Sequence, residues 1–224
     1  MRVIKVENCR VEAAYCNLRC PYCTHLEMES HELSVDEIAS KLNGCEAVYI
    51  GGAEPTIHRD LKDLVEKLAE KGVKVTLKTS GFNPKAVEEV LNFVDMVVLE
   101  IKGDFDDLKK LSTLIGLSEE RAKKYIENFF KTLEAVRKSG KKIRIWARMI
   151  ENYLDAETLE RVMSRVGRVD EILVYQYLSK PEWDKKVEYL SPPSFEEVVK
   201  AGKVAKKFAN RVIVIAGGRR FEVD

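Results

Sequence analysis

Glutamine occurs once in the 224 residues, at Gln176, histidine three times and tryptophan twice. Charged residues, by contrast, make up 33% of the chain. A single glutamine beside abundant Lys and Glu is a thermophile-like balance. A surplus of one charge sign is also missing: 38 Lys and Arg face 37 Asp and Glu, for a net charge of +1. That removes the electrostatic case for a nucleic-acid partner or an anionic membrane surface. No apolar run approaches the roughly 20 residues of a spanning helix. Residues 1–8 carry charges throughout and lack an apolar signal core, so the expectation is a cytoplasmic protein. No Gly/Pro/Ser linker and no step in composition interrupts the chain, which points to one domain over residues 1–224.

What is present is a concentration of thiols. Three of the five cysteines, Cys16, Cys20 and Cys23, fall within eight residues, spaced CxxxCxxC, with Tyr22 before the last. Clustering of this kind fits metal binding in a reducing compartment better than a disulfide framework. Cys9 and Cys45 then read as buried thiols. Three thiolates are one short of a tetrahedral set. A structural zinc ion would need a fourth ligand, such as Cys9, His25 or His31, and usually two CxxC knuckles. A [4Fe–4S] cluster held by three cysteines instead leaves one iron open to a small molecule. His25, His31 and His58 have no ligand spacing and read as solvated loop residues.

Along the chain, strand-like runs alternate with helical periodicity. Strands are expected near residues 10–15, 46–50, 73–78, 96–101, 142–150, 171–178 and 211–215. Ser34 with Glu37, and Ser194 with Glu197, form capping boxes that start helices. Asn83 and Pro84 open another, Asp155 caps one, and a long helix is expected over residues 118–139. Residues 104–117 and 179–193 read as connections, and Gly217-Gly218-Arg219-Arg220 as a solvated end. Six strand–helix repeats with short links predict parallel strands covered by helices, either a partial barrel or a doubly wound sheet. Both folds place chemistry at the carboxyl ends of the strands. The cysteine loop, residues 51–55, 79–81 and 100–102, Arg148 and Gln176 all fall at such ends.

CxxxCxxC with an aromatic before its last cysteine resembles the radical S-adenosylmethionine (SAM) superfamily. The segment Gly51-Gly52-Ala53-Glu54-Pro55 resembles that family's Gly-Gly-Glu-Pro signature, with Ala53 in place of the second glycine. The resemblance implies an α/β fold, a partial (βα)6 TIM-like barrel with parallel strands in a single domain. It implies a [4Fe–4S] cluster on Cys16, Cys20 and Cys23, with SAM on the fourth iron. Tyr22 would line the adenine. Gly51 and Gly52 would admit the methionine moiety, and Glu54 would accept from its ammonium. Ser80, Lys78, Glu100, Lys102, Arg148 and Gln176 are the further cofactor-binding candidates. Lys78 stands where related enzymes carry an acid, which suggests a pair with the SAM carboxylate instead. The segments Thr79-Ser80-Gly81 and Glu100-Ile101-Lys102-Gly103 are similar to those of the activating enzymes of pyruvate formate-lyase and anaerobic ribonucleotide reductase. That implies a glycyl-radical partner protein as substrate and an electron donor of ferredoxin or flavodoxin type. A radical enzyme acting on a small molecule or nucleoside, similar to the 7-deazaguanine-forming synthases, and a non-catalytic metal-binding protein are the alternatives.

Overall fold

A computed structural model describes residues 1–223 of the chain. Two compact units make it up. The first comprises Met1–Asn17, His25–Leu99 and Asn128–Lys142; the second comprises Leu18–Thr24, Glu100–Glu127 and the chain from Ile143 onward.

The first unit opens with β1 (Arg2–Glu7) and β2 (Arg10–Ala13), followed by β3 (His31–Glu32) and α1 (Val35–Lys41). Then come β4 (Ala47–Gly52), α2 (Leu61–Glu70), β5 (Lys74–Thr79), α3 (Pro84–Val90) and β6 (Met96–Ile101). Strands β2, β4, β5 and β6 are parallel neighbours in that order, and β1 and β3 extend the β2 edge in antiparallel pairing. The apolar spacing of α2 explains its seat, since Leu61, Leu64, Val65 and Leu68 are all buried on one face. The capping box of Ser34 and Glu37 is formed as expected.

Past β6 the chain forms α4 (Leu108–Ile115), α5 (Glu119–Lys138), β7 (Lys142–Met149) and α6 (Ala156–Val166). It ends with β8 (Val169–Gln176), α7 (Phe195–Ala205), β9 (Ala209–Ala216) and β10 (Arg219–Glu222). Within the second unit β7, β8 and β9 are parallel neighbours, and β10 folds back antiparallel on β9. The architecture is α/β with parallel strands joined by crossover helices, the open arrangement of a partial barrel. No helix among the described residues is long and apolar enough to cross a membrane.

Three local expectations change. Residues 104–117 are no plain connection: Asp107 accepts from Lys110 N at 2.9 Å and starts α4, which Gly116 ends at φ +63°. The segment at Gly217-Gly218 is solvated as expected, but it is a two-residue hairpin turn rather than an end, both glycines at positive φ, with Ala216 opposite Arg219. The N-terminal hairpin also turns on two residues at positive φ, Asn8 and Cys9. Cys9 and Cys45 are not thiols, because they form a disulfide with Cα atoms 5.7 Å apart.

Candidate functional site

The cysteine segment is held from both of its ends. In the first unit, Ala13 O accepts from Ala53 N at 2.9 Å and Tyr15 O accepts from Glu54 N at 3.0 Å. These bonds carry the parallel pairing of β2 with β4 past the strand ends. Gly52 makes the approach possible: it lies at φ +89°, and a Cβ there would meet Ala13 N at 2.6 Å. Gly51 is also confined, since a Cβ would stand 2.8 Å from the Tyr49 ring and 3.5 Å from Lys78 Cβ. Ala53 keeps a negative φ, in line with the missing second glycine. His58 is not a solvated loop residue, as its Nε2 lies 2.7 Å from Ala14 O. His25 stands 3.8 Å from Glu12.

In the second unit, Arg19 N donates to Ile115 O at 2.8 Å. Gly116 is required beside it, because a Cβ would fall 2.1 Å from Arg19 O. Cys23 N donates to Cys20 O at 3.1 Å, a turn that brings these two cysteines round. Cys20 is 6% exposed, and burial pushes its thiol pKa up. The Tyr22 ring is buried, and burial raises its phenol as well.

Glu54 is fully buried and gathers five donors. Its Oε1 accepts from Thr56 N (3.2 Å), Thr56 Oγ1 (2.7 Å) and Thr79 Oγ1 (2.7 Å). Its Oε2 accepts from Ser80 N (2.8 Å) and Ser80 Oγ (2.5 Å). A carboxylate offers about four lone-pair sites, so the two oxygens are fully engaged by the chain itself. Glu54 and Ser80 are thus brought together, with Lys78 on the adjoining stretch of β5. A ligand ammonium would have to displace one of these donors.

The second unit assembles a chain of buried charges. Lys102 Nζ lies 2.9 Å from Glu100 Oε2. Arg148 reaches Glu100 Oε1 with Nε at 3.4 Å and Nη2 at 3.3 Å. Arg148 Nη1 pairs in turn with Asp184 Oδ1. Asp184 Oδ2 accepts from Tyr175 OH at 2.5 Å and from Leu178 N at 2.9 Å. The guanidinium also stacks over the rings of Tyr22 (4.9 Å) and Tyr175 (5.1 Å). Burial alone would lower the Lys102 pKa; Glu100 and Cys20 reverse that and hold the ammonium above its ordinary range. The alternation expected in β7 therefore has no solvent face at its end, where Trp146 and Arg148 are both buried.

Tyr22, Glu100, Lys102 and Arg148 are thus gathered in one place. Gln176 is brought elsewhere: its Nε2 donates to Pro193 O at 2.8 Å, and its Oε1 accepts from Gly217 N at 2.7 Å. Asp184 was missed from the sequence. Its signal was weak, an acid beside Trp183 in a connection of fifteen residues, although connections that long are usually functional.

The family model of the radical SAM superfamily matches residues 13–163. The chain belongs to that superfamily. A Methanocaldococcus jannaschii protein named as a glycyl-radical enzyme activating enzyme is 27% identical over 216 residues, covering 93% of this chain and 88% of its own length. The pyruvate formate-lyase-activating enzyme of Clostridium pasteurianum is 24% identical over 191 residues, covering 76% of each chain. In fold, a radical SAM methyltransferase from Sphaerobacter thermophilus superposes with a TM-score of 0.67 at 16% identity, over 92% of this chain and 65% of that one.

Radical SAM enzymes use a [4Fe–4S] cluster and SAM, and the donor set fits the cluster. The disulfide removes Cys9 and Cys45, leaving the three clustered cysteines as thiols. Among the described residues no group of three or more His, Cys, Asp or Glu could hold a metal ion. A cubane makes a different demand from a zinc ion, because each thiolate takes its own iron.

Proposed function

We propose that this radical SAM enzyme is an activase that generates a glycyl radical on a partner protein. The observation that carries the reading is the likeness to the M. jannaschii relative, which runs over 93% of this chain and 88% of that one.

In this reading Cys16, Cys20 and Cys23 each bind one iron. With the cluster and SAM bound, the chemistry supplied is reductive cleavage of the sulfonium to an adenosyl radical that takes hydrogen from a glycine. The chain's own residues orient and exclude. Gly51 and Gly52 offer backbone groups to the methionine moiety, their missing side chains making room for Tyr49 and for the Ala13 backbone. Lys78, beside Gly51, supplies a cation for its carboxylate. Glu54 fixes Ser80 and the turn after β5, and so shapes the wall on which the methionine ammonium and ribose would rest. Within the second unit Tyr22 is buried, and Lys102 is held charged by Glu100 and Cys20. An electron donor of ferredoxin or flavodoxin type completes the scheme.

The test is anaerobic incubation of reconstituted enzyme with reductant, SAM and host extract. The expected result is 5′-deoxyadenosine together with a glycyl-radical electron paramagnetic resonance signal on a separate protein. Turnover of SAM coupled to a small metabolite, with no protein radical, would replace the activase reading by the small-molecule one.

A further inference from the structure

Residues 178–187 contain neither helix nor regular strand, yet they are pinned at several points. Asp184 is 3% exposed, which an aspartate in a solvated loop would not be. Leu178 N and Tyr175 OH donate to it, and Arg148 pairs with it. The same stretch runs against the cysteine segment. Asp184 and Cys23 form an antiparallel bridge, Lys185 N donates to Tyr22 O at 3.0 Å, and Thr24 Oγ1 donates to Glu182 O at 3.1 Å. Arg148, held by Asp184, lies over the Tyr22 ring. Residues 22–24 are therefore gripped twice, by backbone pairing and through the Arg148 side chain.

We propose that Asp184 is a positioning residue for the iron–sulfur cluster: through Arg148 and the backbone pairing at Cys23, it holds Cys20 and Cys23 ready to receive iron. Residues 178–187 are then a strap belonging to the cluster-binding element rather than a link between β8 and α7. The inference rests on the assignment of the cluster to these cysteines. A purely structural Asp184 would lower global stability and leave the cysteine segment no looser than the rest. A positioning Asp184 loosens that segment selectively.

Two variants test this. Asp184→Asn keeps the size and can still accept hydrogen bonds, but cannot pair with Arg148 as an anion. Thr24→Val removes one strap bond at a partly exposed position. Lys186→Ala, on the exposed side of the strap, is the control. Hydrogen exchange by mass spectrometry is read first on the apoprotein. The expected result for Asp184→Asn is exchange about tenfold faster in peptides covering residues 16–25 and 182–187, with α2 unchanged. Thr24→Val is expected to show a smaller rise, about threefold, in the same peptides. After anaerobic reconstitution, iron release to a chelator should quicken in both variants and not in Lys186→Ala. Unchanged exchange and unchanged iron release in folded Asp184→Asn would overturn the proposal. Were that variant not to fold, unchanged values in Thr24→Val would do the same. A wild-type chain that takes up no iron and sulfide would refute the cluster assignment instead, and the apoprotein exchange would still decide whether the strap holds the segment.

Discussion

Glu54 and Glu100 are both acids at the carboxyl ends of parallel strands, and both are buried, yet their neighbours differ in kind. Glu54 is met by neutral donors: two backbone amides and three hydroxyls, all from Thr56, Thr79 and Ser80. Glu100 is met by full charges, Lys102 on one oxygen and Arg148 on the other, with Arg148 shared with Asp184. A neutral shell divides one negative charge over many partial dipoles, so losing a member weakens it by a fraction. An alternating chain of ions has no spare members. Removing one leaves an uncompensated charge in a place that water does not reach.

Four measurements would break or sharpen that contrast. Arg148→Met should have the largest effect, about 3–5 kcal/mol of unfolding free energy in urea, because Asp184 loses the cation paired with it and Glu100 keeps Lys102 alone. A loss below about 1 kcal/mol would mean that the ionic chain is solvated after all. Glu54→Gln should cost about 2 kcal/mol, since one amide NH2 would then face donors instead of accepting from them. Equal losses for the two variants would erase the distinction. Thr79→Val removes one neutral donor to Glu54 and the acceptor of Gly81 N, and about 1–1.5 kcal/mol is expected. The smallest effect belongs to an exposed acid, Asp155, which caps α6 by accepting from Thr158 N at 2.8 Å. Asp155→Ala should cost about 0.5–1 kcal/mol at neutral pH. Burial pushes the Asp155 carboxyl up, but the Thr158 hydrogen bonds outweigh it and the net shift is downward. Its contribution is thus present above the ordinary carboxylate range and lost as pH falls through the lowered folded value, so wild type and variant should converge in acid below that range. A gap that persisted in acid would assign the effect to packing rather than charge.

The same contrast explains what could be read from the sequence. The Glu54 shell is built from short motifs, Glu54-Pro55-Thr56 and Thr79-Ser80-Gly81, each lying in one strand-end turn, and both stood out. The helices with capping boxes and strict apolar spacing were legible for the same reason: their determinants lie within a few residues. The ionic chain draws on Glu100, Arg148 and Asp184, separated by 48 positions in the first link. Glu100, Lys102 and Arg148 were visible as polar residues at strand ends, but nothing local marked Asp184 as their partner. Gln176 shows the converse. Its place at the end of β8 was legible, but the direction of its amide depended on Pro193 and Gly217, which a strand pattern does not encode. Helix α4 had its signals, Asp107 as cap and Leu111, Leu114 and Ile115 on the buried side, but eight residues are too few for the period to stand out. The pairing of Cys9 with Cys45 had no signal at all, since they are 36 residues apart and meet only because β2 lies beside β4.

That pairing bears on how the metal centre is assembled. Five cysteines offer ten distinct triplets of thiols. With Cys9 and Cys45 joined, one triplet remains, Cys16, Cys20 and Cys23. The disulfide, built into the edge where β2 meets β4, thus leaves a single set of three thiols to a metal centre.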